Sequence, residues 1–147
     1  MNNNSFTILH VEDDQNDILL LQRALRKSGA NVVVHAVMDG DKAVGYLSGA
    51  NEYANRESYP MPQLVLLDLK MPRKSGLEVL GWIRSQNYLK RVIVLVFTSS
   101  KHDEDINRAY DLGANSYLVK PVGFDALQDM VKHINYYWGE LNQMPTR

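Results

Sequence analysis

Short runs rich in Val, Ile and Leu recur along this chain, and the stretches between them have helical spacing and often close on glycine. That alternation constrains the fold more than any other feature. Strands buried on both faces read as near-continuous apolar runs, and repeated strand–helix units build a parallel sheet with helices on its faces. Strands are predicted at Phe6–Val11, Val32–Ala36, Leu64–Asp68, Val92–Thr98 and Ser116–Val119. Polar residues stand where four of these runs end: Glu12-Asp13-Asp14, Asp68, Thr98 and Lys120-Pro121. Ligands of open α/β sheets bind beyond the carboxyl ends of the strands, so these residues are expected to form one composite acidic site.

The helices have their own signals. Asp14 is placed to cap a first helix through Ile18, Leu21 and Leu25, ended by Gly29. A second is predicted from about Asp41 to Leu47. Ser75 and Glu78 have capping-box spacing for a third, which carries Leu77, Leu80, Trp82 and Ile83. A fourth runs from Asp103 to Leu112 before Gly113, and a fifth from Phe124 to Leu141. The polar stretch 48–62 is too long for a minimal connection and reads as a surface insertion or a partner site.

The 147 residues suit one domain with one core. Sixteen basic against 17 acidic residues, with no basic block, give no support for nucleic-acid or anionic-membrane binding. Cysteine is absent, which excludes disulfides and thiolate metal sites. The opening Met1-Asn2-Asn3-Asn4-Ser5 lacks signal-peptide character and no apolar run reaches spanning length, so a cytoplasmic chain is expected.

Glu12-Asp13, Asp68, Met71-Pro72 with Gly76, Thr98, Tyr117 and Lys120-Pro121 together resemble the receiver domain of two-component response regulators, over nearly the whole chain. The spacing carries the resemblance: Thr98 lies 30 positions after Asp68 (98 − 68) and Lys120 lies 52 (120 − 68). It implies a flavodoxin-like (βα)5 doubly wound parallel sheet of order 2-1-3-4-5, with one receiver domain over 1–147, a core of about 6–142 and no output domain. It also implies Asp68 as phosphoacceptor, Thr98 as switch hydroxyl, Lys120 as the phosphate-contacting lysine, a sensor histidine kinase as donor, and a cis-proline turn at Lys120-Pro121. Trans bonds are the general rule.

Chemistry supplies a separate reason for these residue types. Crowded carboxylates repel, and a hard divalent cation with oxygen ligands relieves them, so Mg2+ is the expected ion. Asp13, Asp68 and the backbone carbonyl of Lys70 are its expected ligands, with Glu12 acting through water. Asp68 would attack as a carboxylate nucleophile, with Lys120 and Thr98 holding the phosphoryl oxygens. Asp14 and Asp17 read as helix-start residues that complement the helix dipole. Taken singly, Glu12 and Asp13 fit that role too, Thr98 is a strand-end hydroxyl and Lys120 a surface charge; the joint pattern decides. His10, His35, His102 and His133 lack metal-ligand spacing and are assigned no role.

Tyr117 occupies the family's aromatic switch position, where phosphorylation draws Thr98 inward and the aromatic ring follows. Its alternative is plain strand-edge packing. Lys70 and Ser100 flank the expected path of attacking water and should set phosphoryl lifetime; a cation at Lys70 shields the phosphate or pairs with Glu12. Ser99 is small enough to admit a donor. Tyr136, Tyr137 and Trp138 give the last helix more aromatic surface than one stripe needs, as a homodimer or partner contact would; the alternative is cover for this domain's own core.

The stretch 48–62, Asn87-Tyr88-Leu89-Lys90 and the aromatic tail resemble stand-alone regulators paired with bacterial phytochrome kinases. A chemotaxis-type or phosphorelay shuttle receiver would share the same catalytic residues. A flavodoxin-like flavin carrier would meet repulsion from Glu12-Asp13-Asp14. A Mg2+-dependent phosphohydrolase would need a second acid, where Asp68-Leu69-Lys70 has a lysine.

Overall fold

A computed structural model describes residues 6–145. The expectations that rest on Met1 to Ser5 and on the last two residues lie outside that range. Five parallel strands form one sheet in the order β2-β1-β3-β4-β5: β1 Phe6–Val11, β2 Val32–Val37, β3 Leu64–Leu67, β4 Ile93–Thr98 and β5 Ser116–Val119. The α-helices are α1 Gln15–Ser28, α2 Gly40–Ser48, α3 Gly76–Ser85, α4 Asp103–Asp111 and α5 Phe124–Ile134. This is the flavodoxin-like doubly wound sheet that the strand–helix alternation and the family resemblance imply.

Side chains along a strand alternate between faces, and the two halves of the core follow that period. Leu9, Val11, Val65, Leu67, Val94 and Val96 pack against α2 and α3 through Ala43, Leu47, Val79, Leu80 and Ile83. Ile8, Leu64, Leu66, Leu95 and Phe97 pack against α1 and α5 through Leu21, Leu25, Leu127, Val131 and Ile134. Both faces of β3 and β4 are therefore buried, which explains their unbroken apolar sequence.

Local chemistry ends the helices as the sequence suggests. Asp14 accepts from the N–H groups of Asn16 and Asp17, and Gly29 closes α1 at φ +71°, a left-handed geometry that costs a glycine little. The Ser75–Glu78 capping box opens α3 in both directions. Gly76 is required for a different reason: a Cβ there would lie 2.1 Å from the Asp68 carbonyl oxygen. The start of α3 thus presses directly on the loop that follows β3.

Two expectations change, and the long connection after α2 gains definition. The last helix is α-helical only to Ile134, and residues Asn135–Leu141 continue as a π-helix. The wider winding leaves Tyr136 and Tyr137 exposed, whereas Trp138 is half-buried against the α1/α5 core. The peptide bond of Lys120-Pro121 is trans, since no cis bond occurs among the described residues. The stretch after α2 is tied down: Asn51–Ala54 form a 3-10 turn, and Arg56 donates to the carbonyls of Tyr46 at 2.8 Å, Tyr59 at 3.1 Å and Leu47 at 3.1 Å. Two of those carbonyls lie in the last turn of α2, where the Tyr46 carbonyl also accepts from the Gly49 N–H, so Arg56 caps that helix from outside it. The Tyr59 ring meets those of Tyr46 and Tyr53 edge-on beside the same spot.

Among the described residues no helix is long and apolar enough to cross a membrane.

Candidate functional site

Strand register brings the predicted residues together. Val11 pairs with Leu67 and Leu67 with Val96, so β1, β3 and β4 end nearly level. The Asp68 N–H donates to the Val11 carbonyl at 3.0 Å and the Lys120 N–H to the Thr98 carbonyl at 2.8 Å. Glu12 and Asp68 are thereby neighbours across one ladder, Thr98 and Lys120 across another.

The side chains meet above that edge. Asp68 is buried, its Oδ1 facing the Lys70 N–H at 3.4 Å and its Oδ2 the Lys120 Nζ at 3.3 Å. Lys120 Nζ also lies 2.7 Å from Glu12 Oε1 and 2.8 Å from Asp17 Oδ2. Glu12 therefore pairs with Lys120, and the alternative pairing with Lys70 gives way; Lys70 is exposed. Burial, reinforced by the charge of Asp68, pushes the Glu12 carboxyl up to about 7, although the Lys120 ammonium pulls the other way. Burial disfavours the Lys120 cation, but its hydrogen bond to Asp17 and the adjacent Glu12 and Asp68 carboxylates outweigh that, and its pKa stands above the ordinary lysine value.

The Thr98 hydroxyl is fully buried and finds no protein partner. Such a group costs about 1–3 kcal/mol unless something completes it. Glu12, Asp13 and Asp68 each offer a carboxylate oxygen, all within 4.8 Å of one another. Hard oxygen donors carrying excess negative charge fit a divalent cation. A carboxylate, an ammonium and an unpartnered hydroxyl at one sheet edge form a receptor for an anionic electrophile.

Tyr117 and Ser100 are joined: the tyrosine hydroxyl donates to the Ser100 carbonyl at 3.0 Å. Burial raises the Tyr117 pKa, which keeps the phenol a donor. The Ser100 hydroxyl is turned toward α4, donating to Asp105 Oδ2 at 2.5 Å. Ser99 is exposed beside the site. Tyr136, Tyr137 and Trp138 stand apart on the segment after α5, with Tyr137 and Trp138 edge-on at 4.8 Å.

Two residues of this neighbourhood were not singled out by sequence. Asp17, read as a helix-start charge, reaches Lys120, and nothing in the distance between positions 17 and 120 could have indicated it. His10 is fully buried with both ring nitrogens unpartnered, and burial, reinforced by the Lys120 charge, holds its pKa down to about 3. An apolar cleft of about 380 Å3, lined by Met61, Gln63, Tyr88, Leu89, Val92 and Met144 among others, contains none of the site residues.

A family model for the response regulator receiver domain matches residues 8–132. The chain is 38% identical over 140 residues to the probable methanogenesis regulatory protein FilR2 of Methanothrix harundinacea, covering 95% of this chain and 88% of that protein. It is 38% identical over 138 residues to the response regulator Rcp1 of Synechocystis, covering 94% and 92%. The solved structure of the Mn2+-bound form of Rcp1 superposes with a TM-score of 0.85 at 37% identity over 96% of this chain and 99% of that one. That of the phosphorylated cyanobacterial phytochrome response regulator RcpA superposes at 0.89, with 40% identity over 96% and 99%.

Proposed function

The chain belongs to the response regulator receiver domain family and is a phosphoacceptor response regulator of two-component signalling; from that premise we propose that Asp68 is the residue that receives the phosphoryl group. The observation that carries this reading is the company Asp68 keeps: an ammonium at 3.3 Å and, on the neighbouring strand, a buried hydroxyl with no protein partner. Attack by an Asp68 oxygen forms the new P–O bond while the bond from phosphorus to the donor nitrogen breaks, its electron pair staying on that nitrogen. Lys120 and Thr98 then donate to phosphoryl oxygens. The chain is no enzyme toward a separate substrate; the same residues assist its own phosphorylation and dephosphorylation.

Glu12, Asp13, Asp68 and the Lys70 carbonyl are the groups that would hold Mg2+. A cation bound there offsets the charge of an incoming phosphoryl group. The donor is a phosphohistidine on a sensor kinase, and the likeness to RcpA and Rcp1 favours a bacterial phytochrome as that kinase. Thr98 and Tyr117 are the switch pair, with Tyr117 acting on the loop after β4 through the Ser100 carbonyl. Lys70 and Ser100 set the lifetime of the acyl phosphate. Residues 6–142 act as one receiver unit that signals through α4, β5, α5 and the exposed Tyr136 and Tyr137, with Trp138 bracing them, in a homodimer or with the kinase.

The test is phosphorylation by phosphoramidate with and without Mg2+, mapped by mass spectrometry. Modification of Asp68 that requires Mg2+ and vanishes in Asp68→Asn is expected. Full modification of Asp68→Asn at another residue would overturn the assignment. Sedimentation with beryllofluoride should show a larger dimeric fraction, reduced by Tyr136→Ala; no change would remove the interface from the proposal.

A further inference from the structure

The Lys120 ammonium has three N–H donors, and three carboxylates surround it. Glu12 Oε1 is at 2.7 Å, Asp17 Oδ2 at 2.8 Å and Asp68 Oδ2 at 3.3 Å. The contact with Asp68 is the longest of the three. Glu12 comes from the end of β1, fixed by its N–H donating to the Val37 carbonyl at 3.0 Å. Asp17 comes from the first turn of α1, where its own N–H donates to Asp14 Oδ1 at 3.3 Å. The two anchors come from neighbouring elements linked through Asp14, whose N–H donates to Glu12 Oε2 at 3.2 Å and whose side chain accepts from the Asp17 N–H.

A lysine side chain is a flexible four-carbon stem with a point charge at its tip, so one contact does little to direct its remaining donors. A hydrogen bond to one element and an ion pair with another fix where a further donor points. The pair is also sheltered. Asp17 and Lys120 form the polar end of a cavity of about 120 Å3 whose apolar lining includes Leu20, Phe97, Phe124 and Leu127. Attraction between charges is stronger there than on an open surface. A carboxylate needed only for the helix dipole would have no reason to sit on this lysine, and Asp14 already caps α1.

We infer that Asp17 is a positioning residue for phosphoryl transfer: it holds one donor of the Lys120 ammonium while Glu12 pairs with its charge at 2.7 Å, and so keeps another donor directed at Asp68, where the phosphoryl group arrives. The inference rests on Asp68 being the phosphoacceptor. Without Asp17 the ammonium collapses onto Glu12 and Asp68. It then pairs more tightly with the nucleophile and is drawn away from the incoming phosphoryl group.

The experiment compares the full chain with Asp17→Asn, Asp17→Glu, Lys120→Ala and the Asp17→Asn/Lys120→Ala double variant. Each is phosphorylated by phosphoramidate over a range of concentrations at saturating Mg2+, with intact-mass readout. Asp17→Asn should lower the maximal rate about fivefold, within the range the net contribution of an ordinary hydrogen bond spans, and leave half-saturation unchanged. Asp17→Glu should recover at least half of the lost rate. In the Lys120→Ala background Asp17→Asn should add nothing, because the residue acts through Lys120. An Asp17→Asn variant as fast as the unsubstituted chain would overturn the inference, as would a loss of the same size in both backgrounds. If Lys120→Ala does not react, the split between rate and half-saturation and the recovery by Asp17→Glu decide alone. No Asp68-dependent mass change in the unsubstituted chain would instead overturn the reading of the site, and this inference with it.

Discussion

The carboxyl edge of the sheet and the segment between α2 and β3 use similar polar side chains and treat them in opposite ways. In the segment, Arg56 shares its guanidinium among three carbonyls, Asn55 Oδ1 accepts from the N–H groups of Glu57 and Ser58, and the Tyr46 hydroxyl donates to the Pro60 carbonyl. At the edge, Lys120 divides itself among three carboxylates, the Glu12 carboxyl is pushed up to about 7 by burial, and the Thr98 hydroxyl has no protein partner. Satisfied polar groups mark a region whose task is to hold shape. Groups left incomplete in a buried setting mark one completed by a ligand.

The severest way to break the edge is Gly76→Ala. Its Cβ would meet the Asp68 carbonyl oxygen at 2.1 Å and the Leu69 Cα at 2.6 Å, both backbone atoms that cannot rotate away. A loss of about 3 kcal/mol in urea unfolding is expected, together with collapse of Asp68 phosphorylation. Unaltered phosphorylation would mean that the loop carrying Asp68 tolerates displacement.

Arg56→Ala attacks the other region. It removes three hydrogen bonds from a charged donor, at a cost of about 2–3 kcal/mol in unfolding free energy. The phosphorylation rate of the folded protein should not change. A slowed rate would merge the two regions that the comparison separates.

His10 sharpens the contrast, since it is buried beneath the edge with both nitrogens unpartnered. The unfolded chain takes up a proton near 6.5, whereas the folded one resists until about 3. The unfolded state therefore binds more protons between those values, and stability present above pH 6.5 is lost as the pH falls, by up to about 1.4 kcal/mol per unit. His10→Leu should flatten that acid limb and add about 1 kcal/mol at pH 7. An unchanged pH profile would show that the imidazole is not the group responsible.

The smallest effects belong to the rim. Lys70→Ala and Ser100→Ala should each alter the decay half-life of the acyl phosphate by about threefold, roughly 0.6 kcal/mol of barrier, without preventing phosphorylation. Ser100→Ala acts partly through α4, because it releases Asp105. Single-turnover decay measures both.

What sequence made legible follows from how local the signals are. Strand runs, the caps at Asp14 and Ser75 and the glycine at position 29 are written in adjacent residues, and the structure places them as expected. Asp68, Thr98 and Lys120 were legible because strand ends collect on one edge of a parallel sheet. The Lys120 bond to Asp17, the capping of α2 by Arg56 and the π-helical winding after Ile134 were not. The first two are side-chain contacts between elements, and the third is a change of winding in a segment whose Trp138 packs on the α1/α5 core. None leaves a periodic trace in the chain.

A phosphoryl group on Asp68 would complete the polar groups of the edge. A crystal structure of the protein with Mg2+ and beryllofluoride tests it directly. The beryllofluoride is expected on an Asp68 oxygen, with the Thr98 hydroxyl and the Lys120 ammonium each hydrogen-bonded to fluorine and Asp17 still holding Lys120. Beryllofluoride bound elsewhere, or bound at Asp68 with the Thr98 hydroxyl still unpartnered and Lys120 confined to its carboxylates, would contradict it.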